Sequence, residues 1–396
     1  MIGCLCDLFC CLLPDLPVHT KYAIAKWAYL VGFTLTSVLT WVLRDWASED
    51  FATKIGAVKD FCQDAEDKAA CAGGQIAMRI SFANFSFFAL HALLLLGMTK
   101  ESDPRIYGHA SFWGLKLLLW AGALVGFFFV PTRVIYGYAQ FARIASGVFL
   151  VMQLVLLINL IYEVNEWLVE RDNRGAWCVL VSGSALAFAG GLTIIAFTYH
   201  LYAASPSCHL NLFFSSWSIV AGLALLAVLF VPNRAQSAGL LTSGAVFLYC
   251  SYLLMSALVS EPATDPKVAE CIRGGGTSVR WVQIVAFFIA LAAVIYSTLT
   301  AGISSRDMFG NKGEPTGLDT PVPYRADFYH AVFALASCYL AMLFSNWEVS
   351  PSTKQFEMDM GWISTWVKMG SKWACEILYV WTVIAPALFP HRDFGP

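Results

Sequence analysis

The chain has 396 residues, of which 58% are hydrophobic and 13% charged, with a formal net charge of -2. Mean hydropathy is +0.63 and the isoelectric point lies near 6.4. A soluble domain carries about 25% charged residues, so the composition excludes an ordinary soluble protein, and the near-neutral balance excludes a nucleic-acid partner, which needs a basic stripe.

The first residues, MIGCLCDLFCC, crowd Cys4, Cys6, Cys10 and Cys11 ahead of the first apolar run. The lysines follow a short apolar patch, the reverse of the order in a cleavable signal, so none is expected. Juxtamembrane cysteines suit S-palmitoylation. Free thiols and a metal site are the alternatives, although Cys-x-Cys and Cys-Cys are not zinc spacings.

A membrane-spanning helix needs about 20 mostly apolar residues, and backbone groups inside a bilayer must be satisfied internally. The apolar runs predict spans at 23–43, 76–98, 109–130, 138–162, 177–199, 210–231, 239–259, 280–302, 327–346 and 366–389. The expected fold is all-α, a polytopic membrane protein with about ten transmembrane helices. Three spans contain charge: Arg79 in the second, Lys116 in the third, and Lys368, Lys372 and Glu376 in the last. Links are short except 44–75, 260–279, 303–326 and 347–365.

The fourth span stands apart. No proline interrupts residues 134–172, and a helix of that length reaches roughly 57 Å, against a hydrocarbon core about 30 Å thick. It must lie obliquely, project into the cytosol, or break. No internal repeat emerges, so the inverted-repeat plan of many transporters is not indicated.

With the amino terminus in the cytosol, the short inner and outer loops hold almost equal numbers of Lys and Arg, and the positive-inside rule decides nothing. Cysteine placement is more informative. Cys62, Cys71, Cys208 and Cys271 then all fall outside, where disulfides form. Both termini are therefore expected in the cytosol. Cys62 and Cys71 share one loop, nine positions apart. A bond between them would stabilise the fold by roughly 2–3 kcal/mol in the chain-entropy model, and Cys208 with Cys271 is the corollary, although four cysteines allow three pairings.

Ionisable groups at bilayer depth are costly and tend to be functional or paired. Arg79 and Arg143 lie close enough to a span end to snorkel to the headgroups, whereas Lys116 lies deeper. Asn159, Tyr162, Glu163 and Glu166 recur at helical spacing as a polar stripe, which reads either as a solvated helix end or as one wall of a groove for lipid headgroups. Tyr249, Tyr252 and Ser256 align on the seventh span and are read first as core. Asn84 and His91 share a face suited to interhelical hydrogen bonds, and the Asn84-Phe85-Ser86 sequon lies within a span. A buried role is favoured for His330. The His200, Cys208 and His209 group is a weak metal candidate. Gly274-Gly275-Gly276 lacks the Lys-Ser/Thr of a phosphate loop. No catalytic constellation or cofactor motif is found, so no enzymatic activity, cofactor or metal is expected.

Several segments resemble the serine incorporator (Serinc) family. QLVLLINL at 153–160 resembles the family's QLVLLIDF, with Asn159 where an aspartate is expected. SAGLLTSGAVFLYCSYLLMSALVSEP at 237–262 resembles SGLLQxSxxxxYxxYLxxSALxxEP, with Met255 where a tryptophan is common. Tyr324 to Ser337 followed by Asn346-Trp347 resembles YSYSFFHFxFxLAS and TNW. The segments at 366–373, 378–386 and 392–394 resemble WVKxxxxW, LYLWTLVAP and RDF, and Phe112-Trp113 with Lys116 also fits. The 303–326 loop is shorter than in animal members, and Asn159 weakens any mechanism that needs a carboxylate there.

The resemblance implies two helical bundles crossed by one long oblique helix, a role that the fourth span fits. It also implies lipid handling, either movement of phospholipids between leaflets or support of phosphatidylserine and sphingolipid synthesis. The alternatives are a serine carrier to lipid-synthesis enzymes and a structural subunit of a membrane assembly. The groove candidates on this reading are Arg79, Lys116, Asn159, Tyr162, Glu163, Glu166, Tyr249, Tyr252 and Ser256. Expected partners are membrane phospholipids, with other membrane proteins or further copies of the chain. The expected location is the plasma membrane or an endomembrane such as Golgi, endosome or endoplasmic reticulum.

Overall fold

The computed structural model describes residues 17–63, 67–262, 265–273, 291–292, 294–296, 300, 322–345, 347 and 361–389. The acylation candidates Cys4, Cys6, Cys10 and Cys11, most of the predicted span 280–302 and most of the loop 303–326 lie outside the described residues. Among the described residues the protein is helical and has no β-strand. The long helices are α1 (Val18–Trp46), α2 (Lys68–Leu94), α3 (Trp113–Gly126), α4 (Thr132–Glu170), α5 (Arg174–Tyr202), α6 (His209–Ala227), α7 (Leu240–Val259), α8 (Ala326–Phe344) and α9 (Trp362–Leu388). Short helices at Ser48–Lys54, Gly56–Phe61, Ile106–Ala110 and Pro266–Ala269 sit in the links.

Among the described residues, seven helices are long and apolar enough to cross a membrane: α1, α2, α4, α5, α6 with its 3-10 extension to Phe230, α7 and α8. Trp113–Phe129 is a shorter apolar helix. The chain divides into two compact units, residues 1–149 with 287–359 and residues 150–286 with 360–396. The boundary falls inside α4, whose 39 residues give a rise of about 58 Å.

Two predicted limits shift for local reasons. The second span is expected from residue 76, but α2 begins at Lys68, where Asp67 caps the helix by accepting from the Ala70 N–H at 3.0 Å. Its first turns are rich in small residues, which lowers hydropathy but permits close packing. A Cβ on Gly73 would lie 2.9 Å from the Arg44 carbonyl oxygen of α1. The third span is expected from residue 109, but Phe112 is left-handed (φ 59°) and α3 starts only at Trp113, which leaves His109 in a separate turn of helix.

In the first unit, α1, α2, α3 and α8 pack around aromatic rings. Tyr29, Phe33, Phe88 and Phe333 are fully buried. Trp120 of α3 lies so near α1 that a Cβ on Gly32 would come within 2.5 Å of its ring. The Trp120 indole donates to Asn84 Oδ1 at 2.8 Å, and Asn84 Nδ2 donates to Thr36 at 3.0 Å, so the sequon asparagine joins three helices. A disulfide joins Cys62 to Cys71, with Cα atoms 5.7 Å apart.

In the second unit, Phe247 of α7 packs its ring between α5 and α6, where it fits because the residues it meets there are Gly191 and Gly222. A Cβ on Gly191 or Gly222 would come within 2.5 or 2.4 Å of it. Close approach at small residues is the usual means of helix packing in lipid. Tyr379 of α9 is fully buried and bonds Thr242 and Ser243 of α7 at 2.8 and 2.9 Å. Cys208 and Cys271 form the second disulfide, with Cα atoms 5.7 Å apart.

One short element occurs in both units. Phe129-Val130-Pro131-Thr132-Arg133 follows a 3-10 turn after α3, and Phe230-Val231-Pro232-Asn233-Arg234 follows one after α6. Proline ends each helix, because it supplies no N–H to continue the ladder.

Candidate functional site

Ending a helix at membrane depth leaves carbonyls without donors, and an arginine supplies them in each unit. Arg79 of α2 is fully buried and donates to Phe127 O at 3.0 Å, Val130 O at 2.6 Å and Thr132 Oγ1 at 3.2 Å. It is a cap on the α3 terminus and does not snorkel. In the second unit Arg234 donates to Leu229 O at 2.8 Å, to Ala235 O at 3.1 Å and to Ala238 O.

Lys116 is also enclosed. Its ammonium donates to the His109 carbonyl at 2.7 Å and lies over the rings of Trp113 (4.7 Å) and Tyr29 (5.3 Å). His109 in turn meets His330 ring to ring, Nδ1 to Nε2 at 3.0 Å, and Tyr324 OH at 2.9 Å. The candidate Lys116 thus belongs to a dense aromatic and histidine knot rather than to a groove wall. His91 bonds its own helix at Phe87 O.

The remaining candidates do not converge. Tyr162 packs on α9, with its hydroxyl 3.0 Å from Thr382 Oγ1 and its ring stacked on Tyr379. Asn159 and Glu166 are half-buried and Glu163 is exposed. Between them Asn165, not singled out by the sequence, is buried and donates to Ser237 O at 2.9 Å. Tyr249 and Tyr252 are half-buried neighbours, 6.3 Å between ring centroids. Ser256 is buried, and its carbonyl accepts from Lys368 Nζ at 3.2 Å. Arg143 donates to the Trp347 carbonyl at 3.2 Å. Cys208 is used by the disulfide, so it is no metal ligand beside His200 and His209. Among the described residues no group of three or more His, Cys, Asp or Glu is placed to hold a metal ion.

A groove of about 590 Å³ lies between α6 and α9 of the second unit. Phe213, Trp217 and Ala224 line it from α6, and Trp373, Trp381 and Leu388 from α9. Most of these side chains are open to the surroundings, Trp217 at 43% and Trp381 at 52% exposure. The groove spans Phe213 to Leu225 along α6, a rise of about 18 Å, a little more than half of a hydrocarbon core about 30 Å thick. Its volume and apolar lining are those of a ligand pocket.

One charged group edges it. Glu376 pairs with Lys372, four residues earlier on α9, and Lys372 is fully buried. Trp217 and Glu376 both line the groove. Glu376 is therefore the partner of Lys372. Sequence reading missed Phe213, Trp217, Trp373 and Trp381. The available signal was the four-residue spacing of Phe213 and Trp217 on one helix and the eight-residue spacing of Trp373 and Trp381 on another, each placing large aromatics on one face.

The sequence profile of the Serine incorporator (Serinc) family matches residues 1–316 and 311–392. A probable serine incorporator of Nematostella vectensis is 29% identical over 395 residues, covering 86% of this chain and 85% of the relative. Serine incorporator 3 of Mus musculus is 26% identical over 466 residues, covering 100% and 97%. A probable serine incorporator of Dictyostelium discoideum is 28% identical over 413 residues, covering 94% and 95%.

Proposed function

The chain belongs to the serine incorporator family, and from that premise we propose that it is a lipid-handling membrane protein that moves phospholipids between leaflets. The observation that carries this reading is the groove between α6 and α9, apolar along its length and edged by a buried ion pair. An acyl chain fits the apolar lining, and the length matches one leaflet. A polar headgroup passing a purely apolar wall would lose its hydration without compensation. Glu376 offers a carboxylate to a headgroup ammonium, with Lys372 behind it to balance the charge. A second reading, support of phosphatidylserine or sphingolipid synthesis by supplying serine, is favoured by the name that the relatives carry.

The proposal includes ten spans: the seven long apolar helices, Trp113–Phe129, α9 and the predicted span 280–302. It places both termini in the cytosol and the two disulfides on the opposite side. In α9, pairing Lys372 with Glu376 one turn away lowers the cost of carrying charge into lipid.

The test is reconstitution into phospholipid vesicles with a leaflet-exchange assay. Ala224→Trp adds an indole to a groove-lining position that is already exposed, so the fold should tolerate it. The expected result is a several-fold slower exchange at unchanged thermal stability. Unchanged exchange in a folded variant would remove the groove from the mechanism.

A further inference from the structure

The Glu-Pro that ends the α7 motif, Glu261-Pro262, has no part in the groove. Glu261 follows the last turn of α7 and is 1% exposed. A carboxylate there faces the negative end of the helix dipole. Asn211 of α6 donates to Oε2 at 2.9 Å while also donating to Tyr202 O at 2.9 Å, which ties α5, α6 and the end of α7 together. The other oxygen, Oε1, is buried without a hydrogen-bond partner. The lysine on the facing helix, Lys368 of α9, donates to Ser256 O and Ser260 Oγ. Among the described residues, the ionisable groups that act on Glu261 are Tyr202 on α5 and Asp265 in the same link, while Arg273 of that link meets His200 of α5. The Cys208–Cys271 bond joins the start of α6 to this link, and Ala204 N donates to Cys271 O at 3.3 Å.

We propose that Glu261 is a proton-operated latch: as a neutral carboxyl it is tolerated in its buried place beside Asn211 and the link after α7 stays docked, whereas loss of the proton leaves a buried charge that the single Asn211 hydrogen bond does not offset and loosens that link on the disulfide-bearing face. A buried anion with an empty oxygen costs far more than a neutral acid in the same place. The pKa agrees in direction: burial raises it to about 7 from 4.5, with the Asn211 hydrogen bond opposing and Asp265 adding to the rise. The sign follows from linkage. The stabilisation is complete below pH 4.5, where the opened form is also protonated, and is lost as pH rises to about 7. The link is therefore tightest in an acidic compartment. This inference stands apart from the lipid reading, since neither Glu261 nor Asn211 lines the groove.

Hydrogen exchange on the full-length protein in lipid nanodiscs tests it, with rates corrected for base catalysis. In the wild type, opening of 265–273 should rise by up to tenfold per pH unit between pH 4.5 and about 7 and then level off. Glu261→Gln should stay closed and show no such slope. Asp265→Asn removes a neighbouring negative charge and keeps a capping oxygen, so its levelling point should move to lower pH. A flat wild-type profile, or the same slope in Glu261→Gln, overturns the proposal. If Glu261→Gln does not accumulate, Asp265→Asn decides, and an unmoved levelling point overturns it.

Discussion

In the first unit two buried cations deep in the helices, Arg79 and Lys116, are held by backbone carbonyls and ring faces, while Arg44 pairs with the adjacent Asp45 at the end of α1; in the second, Lys372 is held by a carboxylate at the edge of an open groove. A backbone carbonyl belongs to the fold, and its loss leaves a helix end unsatisfied. A side-chain carboxylate can exchange partners without disturbing a helix. The first unit thus spends its cations on structure, and the second keeps a charge where a passing headgroup can meet it. The paired Phe-Val-Pro-x-Arg segments carry the same contrast within one device. Arg79 reaches the α3 terminus from another helix, 48 residues before its first acceptor Phe127. Arg234 caps from within its own loop, five residues after Leu229.

The largest expected effect breaks the first half of the comparison. Arg79→Met leaves the acceptors at Phe127, Val130 and Thr132 without their donor. Each buried unsatisfied group costs about 1–3 kcal/mol, and together they approach the whole stability of a typical fold. The variant should fail to accumulate in membranes, as read by expression and thermal unfolding in detergent. Normal accumulation with impaired lipid exchange would instead make Arg79 part of a transport path.

A smaller effect is expected at the ion pair of the second unit. Lys372→Met strands Glu376 and should cost about 3–5 kcal/mol. Adding Glu376→Gln should restore most of that, a coupling that a double-mutant cycle measures directly. The restored double variant keeps the apolar groove but loses its charge, so slower leaflet exchange at wild-type stability is the expected outcome. Full exchange would confine the pair to packing.

Much of this organisation was legible from residue type alone. Long apolar runs locate α1, α5, α6, α7 and α8 within a few residues, because backbone satisfaction in lipid leaves few options. Segregation of Cys62, Cys71, Cys208 and Cys271 from the other cysteines anticipates both bonds. Less was legible where an unusual backbone or a small side chain decides the geometry, as at Phe112 and Gly73. The cations were visible as anomalies, but their partners were not. A carbonyl has no letter of its own, so nothing in the sequence distinguishes an arginine that snorkels from one that caps. The groove was least visible, because its aromatics read as ordinary lipid-facing residues until two helices set them opposite each other.

Lys116 gives the smallest effect and the sharpest contrast. On sequence grounds it belongs to a headgroup groove, where Lys116→Ala would slow exchange and spare the fold, to a buried ion pair, where removal would be ruinous, or to neither, with its ammonium snorkelling to the headgroups. The structure supplies a different arrangement: a neutral carbonyl at 2.7 Å and two aromatic faces. A hydrogen bond from a charged donor contributes about 1.5–3 kcal/mol and a desolvated cation–π contact about 2 kcal/mol. Removing the ammonium also removes its desolvation cost, which offsets part of the loss. A net destabilisation of about 2 kcal/mol is expected for Lys116→Ala, below that of Lys372→Met because no opposite charge is stranded. Leaflet exchange per folded molecule should be unchanged. Lys116→Met, which keeps the apolar stem packed beside Trp113 and Tyr29, should recover part of the stability. Slower exchange in either variant at wild-type melting temperature would return Lys116 to the lipid path and erase the division between the units.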